Sequence, residues 1–295
     1  MSGSGWPEVA LCEAAGLLGL STEGQRLLRI GHCAVIALPA HGLVARIARP
    51  ATPRDRLEGE MRFARYVHQA GLPVLPPADA VADRAIETTT GPVTFWPFVE
   101  ATGAALDWRW LGETLRRLHA LTPPAGMASL WDPLSVVKTR IERYGAASYA
   151  RAERAQVLSA AYVRAKRILE DSSLVASVGL VHGDPTNVIV TADGPVLIDF
   201  DLSGVGPALW DVASVVVRHR RFGLSGDHVE AFHAAYGLDT GAHGIVEEFL
   251  RVRELLDCSF VLTLIGSHDT EAHDELDVRL RALRDPPDRS RWTPR

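Results

Sequence analysis

Between Gln25 and Pro50 the apolar positions come in short runs separated by turn residues: LLRI, then Gly31-His32-Cys33, then AVIAL, then Pro39-Ala40-His41-Gly42, then LVARIA. Runs of that length, bounded by glycine and proline, predict the three strands of a β-meander. After Pro50 and Pro53 the period changes. Leu57, Met61, Ala64 and Val67 recur at spacings of three and four, which predicts a helix ended by Gly71 and Pro73. Residues 85–99 are rich in Thr, Val, Phe and Trp and are broken by Gly91-Pro92, which predicts a hairpin returning to the same sheet.

From Trp108 onward the pattern is mostly helical. LGETLRRLHAL, residues 134–144 and residues 150–171 read as helices, with Thr122-Pro123-Pro124 breaking the first from the second. Three short apolar runs follow, at 179–181, 188–190 and 195–198, before helical periodicity resumes over 208–220, 227–236 and 245–265. The expected fold is therefore α+β, with a small antiparallel-sheet lobe over 1–98 and a larger helical lobe over 99–295. No internal repeat or low-complexity tract interrupts it.

Composition narrows the function classes. With 295 residues, 47% of them hydrophobic and 23% charged, the chain is long enough for two lobes with a ligand cleft between them. Lys and Arg total 31 against 36 Asp and Glu, so no global positive field exists to attract nucleic acid. Cys12, Cys33 and Cys258 are scattered and unpaired in spacing, which suits a reducing compartment and buried apolar thiols. The N-terminus lacks a basic region followed by an apolar one, and no apolar run reaches the ~18 residues a membrane helix needs. The expectation is a cytoplasmic protein without membrane contact. Neither a heptad seam nor an exposed apolar stripe is legible, which favours a monomer.

The chemistry concentrates in Val181-His182-Gly183-Asp184-Pro185-Thr186-Asn187 and in Val196-Leu197-Ile198-Asp199-Phe200-Asp201. Asp184 lies in a tight turn, and Asp199 follows an apolar strand one hairpin further on, so both carboxylates can face one cleft. Phosphoryl transfer uses such a pair, one carboxylate orienting a hydroxyl nucleophile and the other holding a metal on the phosphates. His-Gly-Asp alone would be read as a turn with a capping aspartate. The ordered series of strand, HGD, Asn, hairpin and Asp-Phe-Asp after a sheet-then-helix arrangement outweighs that plain reading.

These residues resemble the aminoglycoside phosphotransferase family, the small-molecule branch of the protein-kinase-like fold, and the resemblance spans most of the chain. It implies ATP or GTP with Mg²⁺ and a small-molecule hydroxyl acceptor. By it, Asp184 is the base or orienter of the hydroxyl, Asn187 and Asp199 ligate metal, and His182 and Asp211 support the catalytic loop. Arg46 on the strand Leu43-Val44-Ala45-Arg46 meets the phosphates with Glu60 as its ion-pair partner, Gly31 marks the phosphate loop, and Pro97 and Val99 take the purine through backbone groups.

The chain departs from the family pattern in three places. Its only lysines are Lys138 and Lys166, so arginine replaces the expected strand lysine, with Arg49 a rival to Arg46. Asn187 follows Asp184 by three residues where the family usually has five, leaving either Asn187 in a tighter turn or Asp201 to serve the metal. The phosphate loop has one glycine in place of a G-x-G-x-x-G, and no G-x-x-x-x-G-K-[ST] is present.

Between 227 and 277 twelve acids face only Arg251 and Arg253. Part of that run is a solvated helix face, and part suits the acceptor side of the cleft, with Glu254 and Asp257 foremost, where carboxylates would draw a cationic antibiotic. Alternatives are a kinase of a metabolite such as choline, homoserine or a sugar, and a nucleotide-binding pseudokinase. A metallophosphoesterase ranks below both, because no G-N-H-[DE] segment supplies further ligands.

Overall fold

The computed structural model describes residues 5–31, 33–50, 52–79, 81–82, 84–127, 131–147, 150–171, 173, 178–265, 270–285 and 288–294. In chain order the helices are α1 (Trp6–Leu18), α2 (Arg54–Gln69), α3 (Trp108–His119), α4 (Pro133–Gly145), α5 (Ala152–Glu170), α6 (Leu209–Phe222), α7 (Gly226–Tyr236), α8 (His243–Val261) and α9 (Thr270–Arg284). The strands are β1 (Arg26–Ile30), β2 (Ala34–Leu38), β3 (Leu43–Ile47), β4 (Val93–Pro97), β5 (Val178–Val181), β6 (Val188–Thr191), β7 (Gly194–Leu197) and β8 (Gly204–Pro207). Two compact units result: Met1–Leu106 with Asn187–Asp201, and Asp107–Thr186 with Leu202–Arg295.

The first unit is built on a four-stranded antiparallel sheet in the order β1-β2-β3-β4. Alternation along β3 buries Leu43, Ala45 and Ile47 and leaves Val44 and Arg46 on the other face. The buried set packs with Ile36 of β2, Phe95 of β4, and Ala10, Leu11 and Ala14 of α1. Cross-strand register then aligns Val35 with Arg46 and Val44 with Trp96 on the face that α1 does not cover. The β6–β7 hairpin joins this unit through its backbone: Leu197 donates to the Pro73 carbonyl, Leu75 donates to Leu197, and Thr102 donates to Val190.

In the second unit, α8 is buried along most of its length, including Arg253 and Glu254, and packs against α4, α5, α6 and α9. Strand β5 pairs with β8, not with the hairpin beside it in sequence. Helices α3 and α7 approach so closely that a Cβ at Gly112 would stand 2.5 Å from the Phe232 carbonyl oxygen.

The meander, α2 and α3 through α8 lie where the periodicity predicts them. The predicted hairpin over 85–99 reduces to β4 and a single bridge from Ile86 to Val93, because Gly91, at φ 138°, turns the intervening chain out of strand geometry. Strand β8 and helices α1 and α9 are additions. Among the described residues no helix is long and apolar enough to cross a membrane.

Candidate active site

The uncovered face of the sheet forms one wall of a cavity of about 240 Å³, lined by Leu28, Val35, Val44, Trp96, Ile189 and Ile198 together with Arg46, Asn187 and Asp199. Its apolar end lies against the segment that leaves β4. Phe98 donates its N–H to the Gly42 carbonyl. Strand alternation therefore turns the Pro97 carbonyl away from β3, and among the described residues no backbone acceptor takes the Val99 N–H. One acceptor and one donor, two residues apart on an open strand edge, can read the edge of a flat heterocycle.

The polar end is a compact charge cluster. Arg46 reaches Glu60 Oε2 at 3.1 Å and Asp199 Oδ1 at 2.6 Å, with its guanidinium over the Trp96 ring. Burial works against its charge, yet Asp199 and Glu60 outweigh it and hold Arg46 well above its ordinary range. Burial likewise raises Glu60 against the opposing pull of Arg46. Asp201 is pushed up to about 8, first by burial and then by Asp199 and Glu60. Asp199 is the one described residue other than glycine with a positive φ, 65°, a conformation that aspartate tolerates better than most residues.

Gly31 and Arg49 stand apart from that cluster. The Gly31 N–H bonds the Cys33 carbonyl and so is not open to a phosphate oxygen, while His32 lies outside the described residues. Arg49 donates to the Gly31 carbonyl and covers the Trp6 ring, which leaves Arg46 and the more exposed Arg29, 3.9 Å from Asp199 Oδ2, as the cations lining the cavity.

In the second unit the turn 182–184 is held from several sides. Asp211 accepts the N–H groups of His182 and Gly183, each at 2.8 Å, and its Oδ2 also meets His119, which contacts the Tyr236 hydroxyl. Gly183 adopts φ 89°, and a Cβ there would lie 2.2 Å from the Leu202 carbonyl oxygen. Asp184 Oδ1 pairs with Arg253 at 3.2 Å, accepts from Thr186, and lies 3.8 Å from Arg218. Burial alone would raise this carboxyl, but Arg253 and Arg218 outweigh it and hold it below the ordinary aspartate value.

Glu254 is drawn into a buried pair with Arg221 at 2.6 Å, so its charge is answered inside the protein. Asp257 pairs through Oδ1 with Arg253 at 3.1 Å, and its buried Oδ2 has no hydrogen-bond partner among the described residues. Of the twelve acids between 227 and 277, Glu247, Glu248, Glu254, Asp257, Glu275 and Asp277 are paired with arginines, which leaves less negative charge for a ligand than the sequence run suggests. Asp269 and His268 lie outside the described residues.

The model of the phosphotransferase enzyme family (APH) matches residues 35–254, which run from β2 into α8 and leave out α1, β1 and α9. The chain belongs to that family. It is a small-molecule phosphotransferase. Solved structures of similar fold include an amicoumacin kinase in complex with AMP-PNP, Ca²⁺ and Ami (17% identity, 97% of this chain and 95% of that one, TM-score 0.71). A microcompartment-associated aminopropanol kinase matches at 21% identity over 93% and 95% of the two chains, with TM-score 0.69. A spectinomycin phosphotransferase in complex with ADP and spectinomycin matches at 14% identity over 94% of each, with TM-score 0.62. At these identities the likeness is one of fold. No curated protein matches the phosphotransferase.

Three residues of this phosphotransferase stand in the site without a sequence signal: Arg253, Arg218 and Thr186. Thr186 sits within the quoted loop without a role read for it, while Arg218 and Arg253 belong to no motif and approach Asp184 only through the packing of α6 and α8. The i, i+4 spacing of Arg253 and Asp257 was the one available hint, and it fits an ordinary helix-surface pair equally well.

Proposed function

We propose that the chain is an ATP-dependent O-phosphotransferase that moves the γ-phosphoryl group to a hydroxyl of a small molecule, in the first instance an antibiotic carrying amino groups. The observation that carries the reading is the cavity of the first unit, which joins an apolar slot and a free backbone donor and acceptor to a charged end made of Arg46, Asn187 and Asp199. That is the amphipathic shape of a nucleotide. The Pro97 carbonyl would accept from an exocyclic amine and the Val99 N–H would donate to a ring nitrogen, the pattern of adenine; guanine offers an acceptor where Pro97 needs a donor.

The nucleotide-binding role falls to residues 1–98 together with the β6–β7 hairpin, and the acceptor-binding and catalytic role to the helical remainder. Arg46 would hold phosphate oxygens bidentately, with Glu60 fixing its orientation. Asn187 and Asp199 supply oxygen donors at the same end of the cavity. The metal would be Mg²⁺, an ion that takes few protein ligands and completes its shell with phosphates and water. When bound, that ion would neutralise charge on the phosphates. The shortened loop still leaves Asn187 on the cavity wall.

Asp184 would accept a hydrogen bond from the acceptor hydroxyl and orient its oxygen for in-line attack. The new O–P bond forms as the bond to the bridging oxygen breaks, ADP leaves with that electron pair, and the hydroxyl proton passes along its hydrogen bond toward the carboxylate. Asp211 and His182 would keep the turn in register. Asp257 remains the carboxylate best suited to an acceptor amine. Both the antibiotic kinases and the aminopropanol kinase among the structures of similar fold support an amino-bearing acceptor.

Incubation of the purified chain with Mg·ATP and a panel of aminocyclitol, basic peptide and nucleoside antibiotics, amino alcohols and choline, followed by mass spectrometry, tests this. A gain of one phosphoryl group by an amino-bearing compound, absent with Asp184→Asn, is expected. Binding of ATP without transfer to any compound and without hydrolysis would favour the nucleotide-binding pseudokinase.

A further inference from the structure

A buried guanidinium must have its charge and its donors answered, or it destabilises the fold. Arg253, only 3% exposed, meets that demand by reaching in three directions at once. Its Nε meets Asp257 Oδ1 at 3.1 Å on its own helix, one terminal nitrogen donates to the Gly183 carbonyl and to Ser214 Oγ at 3.1 Å each, and the other lies 3.2 Å from Asp184 Oδ1. The Gly183 carbonyl also accepts from Trp210 at 2.8 Å. The turn backbone is thus pinned from α6, through Asp211 and Trp210, and the carboxylate is pinned from α8.

The closest contacts to the Asp184 carboxylate gather on one oxygen: Arg253, Arg218 and Thr186 all make their shortest approach to Oδ1. Arg218 is the looser of the two cations, 31% exposed, at 3.8 Å and already bonded to Thr186 at 2.9 Å. The turn itself has little chain with which to fix its aspartate, because only two residues separate Asp184 from Asn187.

We propose that Arg253 is a positioning residue for phosphoryl transfer: anchored by Asp257, it clamps Asp184 by Oδ1 and thereby presents Oδ2 to the acceptor hydroxyl. It does with a guanidinium what the short loop lacks the length to do. The inference rests on the kinase reading of Asp184. A lysine at this position would carry the charge but could not span Asp257, Gly183 and Asp184 together. The other charged groups around the carboxylate are Arg218 from α6, Asp257 behind Arg253, His182 in the turn and Asp211 behind its backbone.

The test uses the full chain with Arg253→Gln and Arg253→Lys and two readouts. Denaturant unfolding at pH 7 is measured for the cycle of Asp184→Asn with Arg253→Gln. Asp184→Asn is expected to destabilise the wild type and to stabilise the Arg253→Gln background, where the buried carboxylate has lost its main partner. Hydrolysis of Mg·ATP, with water as acceptor, is then followed. Arg253→Gln is expected to lower kcat at least about tenfold with KM for ATP within about twofold, because Arg253 does not line the nucleotide cavity. Arg253→Lys should recover part of kcat. If Arg253→Gln does not fold, Arg253→Lys carries both readouts, and coupling in its cycle with a several-fold lower kcat supports the clamp. Additive cycles, or unchanged kcat in a folded variant, overturn it. A wild type whose cycle shows the coupling but which neither hydrolyses ATP nor phosphorylates any compound overturns the kinase reading and leaves the clamp as a fact of the fold.

Discussion

Arg46 holds Glu60 and Asp199 at the same time, which a planar fork can do and a single ammonium cannot. Arg46→Lys is therefore expected to keep the chain folded but to raise KM for ATP about tenfold or more, read from initial rates against ATP concentration. Asp184 gives a pH prediction. Its carboxyl is held below the ordinary value, so the stability it contributes is present above the unfolded-state pKa and is lost as pH falls through the lower folded value. The unfolding free-energy difference between wild type and Asp184→Asn should accordingly favour the wild type near pH 7 and shrink as the solution is acidified below about pH 4. At this scale the resemblance to the family singled out Arg46 and Glu60, and the strand-Asp-Phe-Asp pattern singled out Asp199; the fold brings all three into contact. The sequence could not single out Arg253 or the partner of Glu254. Residue 253 meets residue 184, and residue 221 meets residue 254, only through the packing of helices far apart in the chain.

Two glycines make the argument at the level of elements. Gly183 occupies a left-handed conformation against the Leu202 carbonyl, so Gly183→Ala combines backbone strain with a collision and should destabilise the protein by more than about 2 kcal/mol in denaturant unfolding. Gly112 tests packing against propensity. Alanine in mid-helix is worth about 1 kcal/mol over glycine, yet a Cβ at 112 would lie 2.5 Å from the Phe232 carbonyl, and Gly112→Ala should be net destabilising by about 1–3 kcal/mol. Most elements were readable from periodicity because their buried faces repeat. Helix α1 carries the same signal in Ala10, Leu11, Ala14 and Ala15, with Gly19 closing it, but the pattern is blurred by its many small residues. The buried row Ala272, Leu276, Leu280 and Leu283 of α9 was hidden under its acids. Strand β8, Gly-Val-Gly-Pro, has only Val205 to favour a strand, and it forms because β5 supplies its partner.

For the molecule as a whole, the order of sheet and helices along the sequence carried the fold class, since each of those elements is specified locally, and the family match agrees with it. The assignment of Asn187–Asp201 to the first unit was not legible, because it depends on hydrogen bonds from the hairpin to residues 73, 75 and 102. That assignment places Asp199 with the cavity of the first unit and Asp184 with the second unit, and in the proposed reaction it divides the labour between them. A ligand confined to the native state stabilises it by mass action, so ATP at about a hundred times its Kd should add about 2.7 kcal/mol to unfolding of the wild type and of Asp184→Asn alike. The most direct test follows that division: ATP affinity by calorimetry and phosphoryl transfer to an acceptor identified from the panel, measured side by side for wild type, Arg46→Lys and Asp184→Asn. The expected result is weakened ATP binding for Arg46→Lys, and for Asp184→Asn an unchanged ATP affinity with transfer lowered by about a hundredfold or more. Transfer that survives Asp184→Asn, or ATP affinity that Arg46→Lys leaves untouched, would contradict it.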